Sequence, residues 1–158
     1  MVNNEHVTAM SVKMLATVKK GADGSLDGEL DCMYFKEPFK FNSIMSMIKM
    51  MEVTFDIKGF PERHLLPRTF KKSKQRFRKH ELDLQAHIIE HVHAKENLTM
   101  HANEKLSDKN TTFEISVKFR HNAEWQGSIH LVEKDVTEQF SSVVELIKLM
   151  DSVLEVEG

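Results

Sequence analysis

The residues most able to do chemistry in this chain lie close together in its middle. "HIIEH", His87 to His91, has the H-x-x-E-H spacing in which two histidines four apart on a helix hold zinc and the intervening glutamate activates water. His93 follows, so His87, His91 and His93 are candidate metal ligands, with Glu90 as the base of a metal-dependent hydrolase. That chemistry needs a helix. Within "ELDLQAHIIEHVHA", Leu82, Leu84, Ala86 and Ile88 alternate as a strand would, whereas Leu82, Ala86, Ile89 and His93 would line a helix face. We expect an extended strand over Glu81 to Ile88, which leaves the histidines as surface residues.

Just upstream, Pro61 to His80 carries Arg63, Arg68, Lys71, Lys72, Lys74, Arg76, Arg78 and Lys79 against Glu62 alone. This stretch is therefore near +7 in a chain of net charge -2, and the remainder is near -9. Arg68, Lys71, Lys72, Lys74, Arg76, Arg78 and Lys79 could contact phosphates while Phe77 and Phe70 stack on unpaired bases. Alternatively the run is a solvated arm, or it lies across the acidic surface of its own repeats with the phenylalanines tucked into the core, or it meets a partner protein. The single Cys32 falls where a small core residue is needed. Met45 and Met50 stand off the main apolar stripe of their helix, where flexible methionines suit a protein-binding surface. No Gly-rich phosphate loop, CxxC pair or serine nucleophile elbow occurs in the sequence. We therefore expect no enzymatic activity and no cofactor.

The elements that position these residues are legible from a self-match. Residue n set beside residue n + 99 aligns Leu26 to Phe55 with Trp125 to Leu154 without a gap, pairing Gly28/Gly127, Phe41/Phe140, Ser43/Ser142, Ile48/Ile147, Lys49/Lys148 and Met51/Met150. In the second copy Phe113, Ile115, Val117 and Phe119 alternate with Glu114, Ser116, Lys118 and Arg120, the pattern of a strand with one buried face. "HNAE" supplies turn chemistry, Trp125, Ile129 and Leu131 share one side of the next strand, and Val136 to Phe140 forms a third. Ser142 with Glu145 reads as a capping box. From there Val143, Leu146, Ile147, Met150 and Leu154 make a helical stripe.

The first copy repeats this, with Val12, Met14, Ala16 and Val18 inward, "KKGADGS" as the turn, and Leu30 and Cys32 inward. Ile44, Met47, Ile48, Met51 and Phe55 form its helix stripe. The expected fold class is α+β: an internal duplication of a βββα unit, with helices on one face of an antiparallel sheet, about a pseudo-twofold. One compact domain, 1–158, would hold a first unit at 9–57, a basic and His-rich insert at 58–110, and a second unit at 111–156.

The segment "TFEISVKFRHNAEWQGSIHLVEKDVTEQFSSVVELIKLMDSVL" carries the marks N-x-x-WQG and F-x-S-x-x-E-L-I-K-L-M-D. In these it resembles the C-terminal tail of short proteins of uncharacterised function from gut Firmicutes and related anaerobes, and "LLPRTF" resembles them more loosely. Leu131 departs from the pattern, since such tails often carry an aromatic there. The resemblance implies a bacterial source and a fold unit, and no reaction.

Composition bounds the partners. No apolar run approaches the roughly 20 residues that span a bilayer, and "MVNNEHVTAM" lacks the features of a signal peptide. The expected setting is the cytoplasm, without a membrane role. The expected function is a non-enzymatic macromolecule-binding module with a protein partner, using the sheet surface, the insert or both. One form of it is a phage- or mobile-element-encoded inhibitor of a host nuclease such as a CRISPR effector. Nucleic-acid binding through the insert and a metal-dependent hydrolase at "HIIEH" are the alternatives, and the oligomeric state is left open.

Overall fold

The computed structural model describes residues 13–59, 61, 84–86, 88, 110–121 and 124–156. The fold is α+β: among the described residues, a six-stranded antiparallel sheet carries two helices of more than three turns. Its strands are β1 (Lys13–Lys20), β2 (Leu26–Asp31), β3 (Phe39–Phe41), β4 (Thr111–His121), β5 (Glu124–Leu131) and β6 (Val136–Phe140). Helix α1 (Ile44–Lys58) follows β3, and α2 (Val143–Val156) follows β6. The order across the sheet is β3-β2-β1-β4-β5-β6, so the two longest-range neighbours, β1 and β4, meet at its centre.

Alternation builds the core. Met14, Ala16 and Val18 on β1 stand beside Ile115, Phe113 and Thr111 on β4, and this face buries Leu30, Cys32, Trp125, Ile129 and Leu131 as well. Met47, Met51 and Phe55 of α1 and Leu146, Met150 and Leu154 of α2 belong to the same cluster, so both helices cover one face. The register centres on Leu15 opposite Glu114, with Met14 opposite Ile115 and Ala16 opposite Phe113. In the outer strands Gly28 lies opposite Val18 and Phe41, and Gly127 lies opposite Val117 and Phe140.

Each glycine is there for space. A Cβ at Gly28 would run into the Thr17 carbonyl oxygen, and one at Gly127 into the Ser116 carbonyl oxygen. These are backbone obstacles that cannot rotate away, so any side chain would push two strands apart.

The helix starts use local hydrogen bonds. Ser43 Oγ accepts from the Ser46 amide at 3.1 Å, and Ser142 Oγ accepts from the Glu145 amide at 3.0 Å. The expected capping box is present with one change. The Glu145 carboxylate reaches past Ser142 to accept from the amide and the hydroxyl of Ser141, at 3.1 and 2.7 Å. These bonds hold the Glu145 carboxyl below the ordinary glutamate value. At the far end of α1, Gly59 takes the left-handed conformation at φ 68° and donates to the Phe55 carbonyl, which stops the helix.

Three expectations are corrected. Met50 is fully buried, because it lies three residues after Met47 and four before Thr54, on the same broad face of α1; only Met45, 54% exposed, remains available to a partner. The extended strand expected over Glu81 to Ile88 is broken. Leu84 and Gln85 are helical, Ala86 turns, and the Ile88 amide donates back to the Gln85 carbonyl at 3.0 Å. This turn brings Leu84 and Ile88, four apart, into the core together, where Ile88 bridges Phe35. On β4, Phe119 is exposed and Arg120 is buried, the reverse of the expected alternation. No helix among the described residues is long and apolar enough to cross a membrane.

Candidate functional site

Simple alternation along β4 predicts a buried Phe119 and an exposed Arg120. The reverse holds. Register shifts between Val117 and Phe119: Val117 faces Gly127, yet Phe119 faces Gln126 and Arg120 faces Trp125, leaving Lys118 as an extra residue. This β-bulge advances the alternation by one and swaps the faces of everything beyond it. Phe119 is consequently 62% exposed, and Arg120 is 3% exposed.

A buried guanidinium must be satisfied, and this one is. Arg120 Nε donates to the Pro61 carbonyl and Nη1 to Asp56 Oδ1, both at 2.7 Å. The guanidinium carbon lies 5.4 Å from the centre of the Phe55 ring, which itself meets Trp125 edge-on at 5.4 Å and 73°. One side chain thereby joins the end of α1, the ends of β4 and β5, and the chain at Pro61. Among the described residues no buried side-chain nitrogen or oxygen lacks a partner. The clasp and the bulge fix each other: with Arg120 held inward, Phe119 is held outward.

Phe119 looks out from the sheet face that neither helix covers. That face carries Thr17, Ser116, Ser128, His130 and Gln139, and Lys13 and Glu114 pair across it at 3.2 Å. Leu15 is buried at its centre. Toward the β5–β6 turn, His130 Nδ1 meets Thr137 Oγ1 at 2.7 Å and His130 Nε2 meets Asp135 Oδ1 at 3.4 Å. The order carboxylate, imidazole, hydroxyl is that of a proton relay. Asp135 is 94% exposed, however, so water competes for its carboxylate and the link orients the ring only loosely. Its left-handed backbone, φ 51°, is one aspartate tolerates, and the arrangement serves as a clamp on the turn.

The basic-run residues Arg68, Lys71, Lys72, Lys74, Arg76, Phe77, Arg78 and Lys79 lie outside the described residues, as do His87, Glu90, His91 and His93, the turn residues Asn122 and Ala123, and Val12. Among the described residues no group of three or more His, Cys, Asp or Glu side chains is placed to hold a metal ion. Cys32 is buried, and loss of solvation pushes its thiol up to about 12, so the thiolate a nucleophile needs is scarce. Sequence reasoning missed both Phe119 and the clasp. A signal was present: Arg120 and Trp125 lie on either side of "HNAE", and Trp125 is two residues from the glycine that recurs at Gly28.

No protein-family model, curated protein or solved structure matches the chain.

Proposed function

We propose that this chain is a non-enzymatic protein-binding module that uses the sheet face neither helix covers, with Phe119 as its anchor. The observation that carries the reading is the bulge at Lys118, which turns a large aromatic out of the core into water. Leaving a phenylalanine exposed forgoes about 2 kcal/mol of burial, and aromatic side chains on flat surfaces are where binding energy concentrates. The surrounding hydroxyls, amides and paired charges are suited to a polar rim.

The reading includes a duplication of a βββα unit, and registers support it. The offset of 99 that aligns the sequence copies also relates Leu15 to Glu114, which face each other, and it relates Thr17 to Ser116, the carbonyls that crowd Gly28 and Gly127. Against this repeat the bulge stands out. In the first half Lys20 pairs with Leu26 after an unbroken ladder, whereas in the second half Arg120 pairs with Trp125 one residue later than the offset requires. The two halves therefore differ where Phe119 is displayed, as expected of a scaffold specialised at one place.

The test is affinity capture from the native host with wild-type protein and Phe119→Ser, each with and without nuclease treatment. Capture of one protein that survives nuclease and falls at least about tenfold with the variant supports the reading. Capture that nuclease abolishes, or that Phe119→Ser leaves unchanged, overturns it.

A further inference from the structure

We infer that the outer edge of β6 accepts an extended strand from a partner protein, and that this strand places a lysine or arginine opposite Glu138. The inference rests on the reading of the chain as a binding module, but on a surface other than Phe119.

The direction of the β6 backbone follows from one hydrogen bond. The Val132 amide donates to the Thr112 carbonyl at 3.0 Å, so Val132 and the alternate residues before it, His130 and Ser128, turn their amides toward β4. Leu131, Ile129 and Gly127 then turn theirs toward β6, where they meet Val136, Glu138 and Phe140. Thr137 and Gln139 are left with amide and carbonyl directed outward. Among the described residues nothing pairs with that edge.

The two edges of the sheet are unlike. β3 has three residues and follows Pro38 directly, both of which blunt an edge. β6 is a five-residue strand with β-branched Val136 and Thr137, and Val136 is 47% exposed. Such an edge invites pairing unless something defends it.

Glu138 is that defence, and it also selects. An added strand bonded to Thr137 and Gln139 would put Glu138 in a non-hydrogen-bonded pair, where opposed side chains come closest, about 4.5 Å between Cα atoms. A second copy docked about a twofold at this residue sets Glu138 against Glu138. The surroundings point the same way: residues 124–156 carry seven acids, Glu133, Asp135 and Glu145 among them, against Lys134 and Lys148. Charge therefore disfavours self-pairing and favours a basic strand.

The test uses fluorescein-labelled heptapeptides, Thr-Val-Thr-Lys-Thr-Val-Thr and the same sequence with Glu at its centre, in anisotropy titrations at low ionic strength. We expect the lysine peptide to bind about fivefold tighter than the glutamate peptide, and Glu138→Lys to reverse that order. Gln139→Pro removes an outward amide that no strand among the described residues uses, so it abolishes binding while Trp125 fluorescence remains native. A lysine peptide N-methylated at alternate amides gives the same loss without altering the protein. Binding indifferent to N-methylation or to the charge at residue 138 overturns the inference, as does no binding of either peptide. A dimer of the protein that Gln139→Pro dissolves would replace the basic strand with a second copy and also overturn it. Phe119→Ser leaves peptide binding unchanged, so failure here with capture through Phe119 intact defeats this inference alone.

Discussion

Removing Asp56 should destabilise the protein more than removing Arg120, although Asp56 is the more exposed partner of the pair. Replacing Arg120 by methionine keeps an apolar stem against Phe55 and deletes two charge-assisted hydrogen bonds. The Asp56 carboxylate is 38% exposed and recovers water, so the cost is about 2 kcal/mol. Asp56→Ala instead leaves the guanidinium 3% exposed with its counter-charge gone, held by the Pro61 carbonyl and the Phe55 face. An uncompensated buried charge costs about 3 kcal/mol or more. Adding Arg120→Met to Asp56→Ala should therefore cost nothing further and recover part of the loss, a coupling of at least about 1.5 kcal/mol. Urea unfolding followed by the fluorescence of Trp125, buried 5.4 Å from the Phe55 ring, reads all four proteins. Additive losses within about 0.5 kcal/mol, or Arg120→Met as the costlier single change, would refute the clasp.

Gly28→Ala and Gly127→Ala should each cost about 2 to 3 kcal/mol in the same urea assay, because each Cβ meets a backbone carbonyl; a neutral result at either would break the equivalence of the two halves. Cys32 should resist iodoacetamide in the native protein and react at a rate that tracks global unfolding in a urea series, and rapid native labelling would contradict its burial. Its raised value sets a direction with pH. The thiol is protonated in both states below about 9, and the unfolded chain ionises first above it, so stability is lost as pH climbs from 9.0 toward about 12. Glu145 runs the other way: its lowered value gives stability that is present above the unfolded value of 4.5 and is lost as pH falls through the folded one. Carbon-detected NMR titration should show that value moving up toward 4.5 in Ser141→Ala, and no movement would remove the proposed cap.

Much of the scaffold was legible because its signals are local. Alternation in Met14, Ala16 and Val18, the serines before both helices, and Gly28 with Gly127 each encode one element or one close approach, and the structure uses all of them. The bulge was not legible. "VKFR" reads as unbroken alternation whether or not one residue is looped out, since the extra residue changes the faces and leaves the pattern. The regularity that identifies the strand therefore places Phe119 and Arg120 on the wrong sides. Met50 was misplaced for a different reason. A single stripe through Met47, Met51 and Phe55 underestimates a helix whose buried face also takes in Met50 and Thr54, and Leu84 and Ile88 add to that core from far along the chain. Thr54 is masked as an apolar position by its type, yet its hydroxyl donates to the Met50 carbonyl at 2.7 Å and costs the core nothing unsatisfied.

The most direct test of a binding face anchored by Phe119 is site-specific photo-crosslinking, with p-benzoylphenylalanine placed at position 119 in one protein and at position 144, an exposed helical site, in another. After irradiation in the native host, the account predicts a single protein adduct from position 119 that survives nuclease treatment, with none from position 144. Equal adducts from both positions, or adducts from position 119 that nuclease removes, would contradict it.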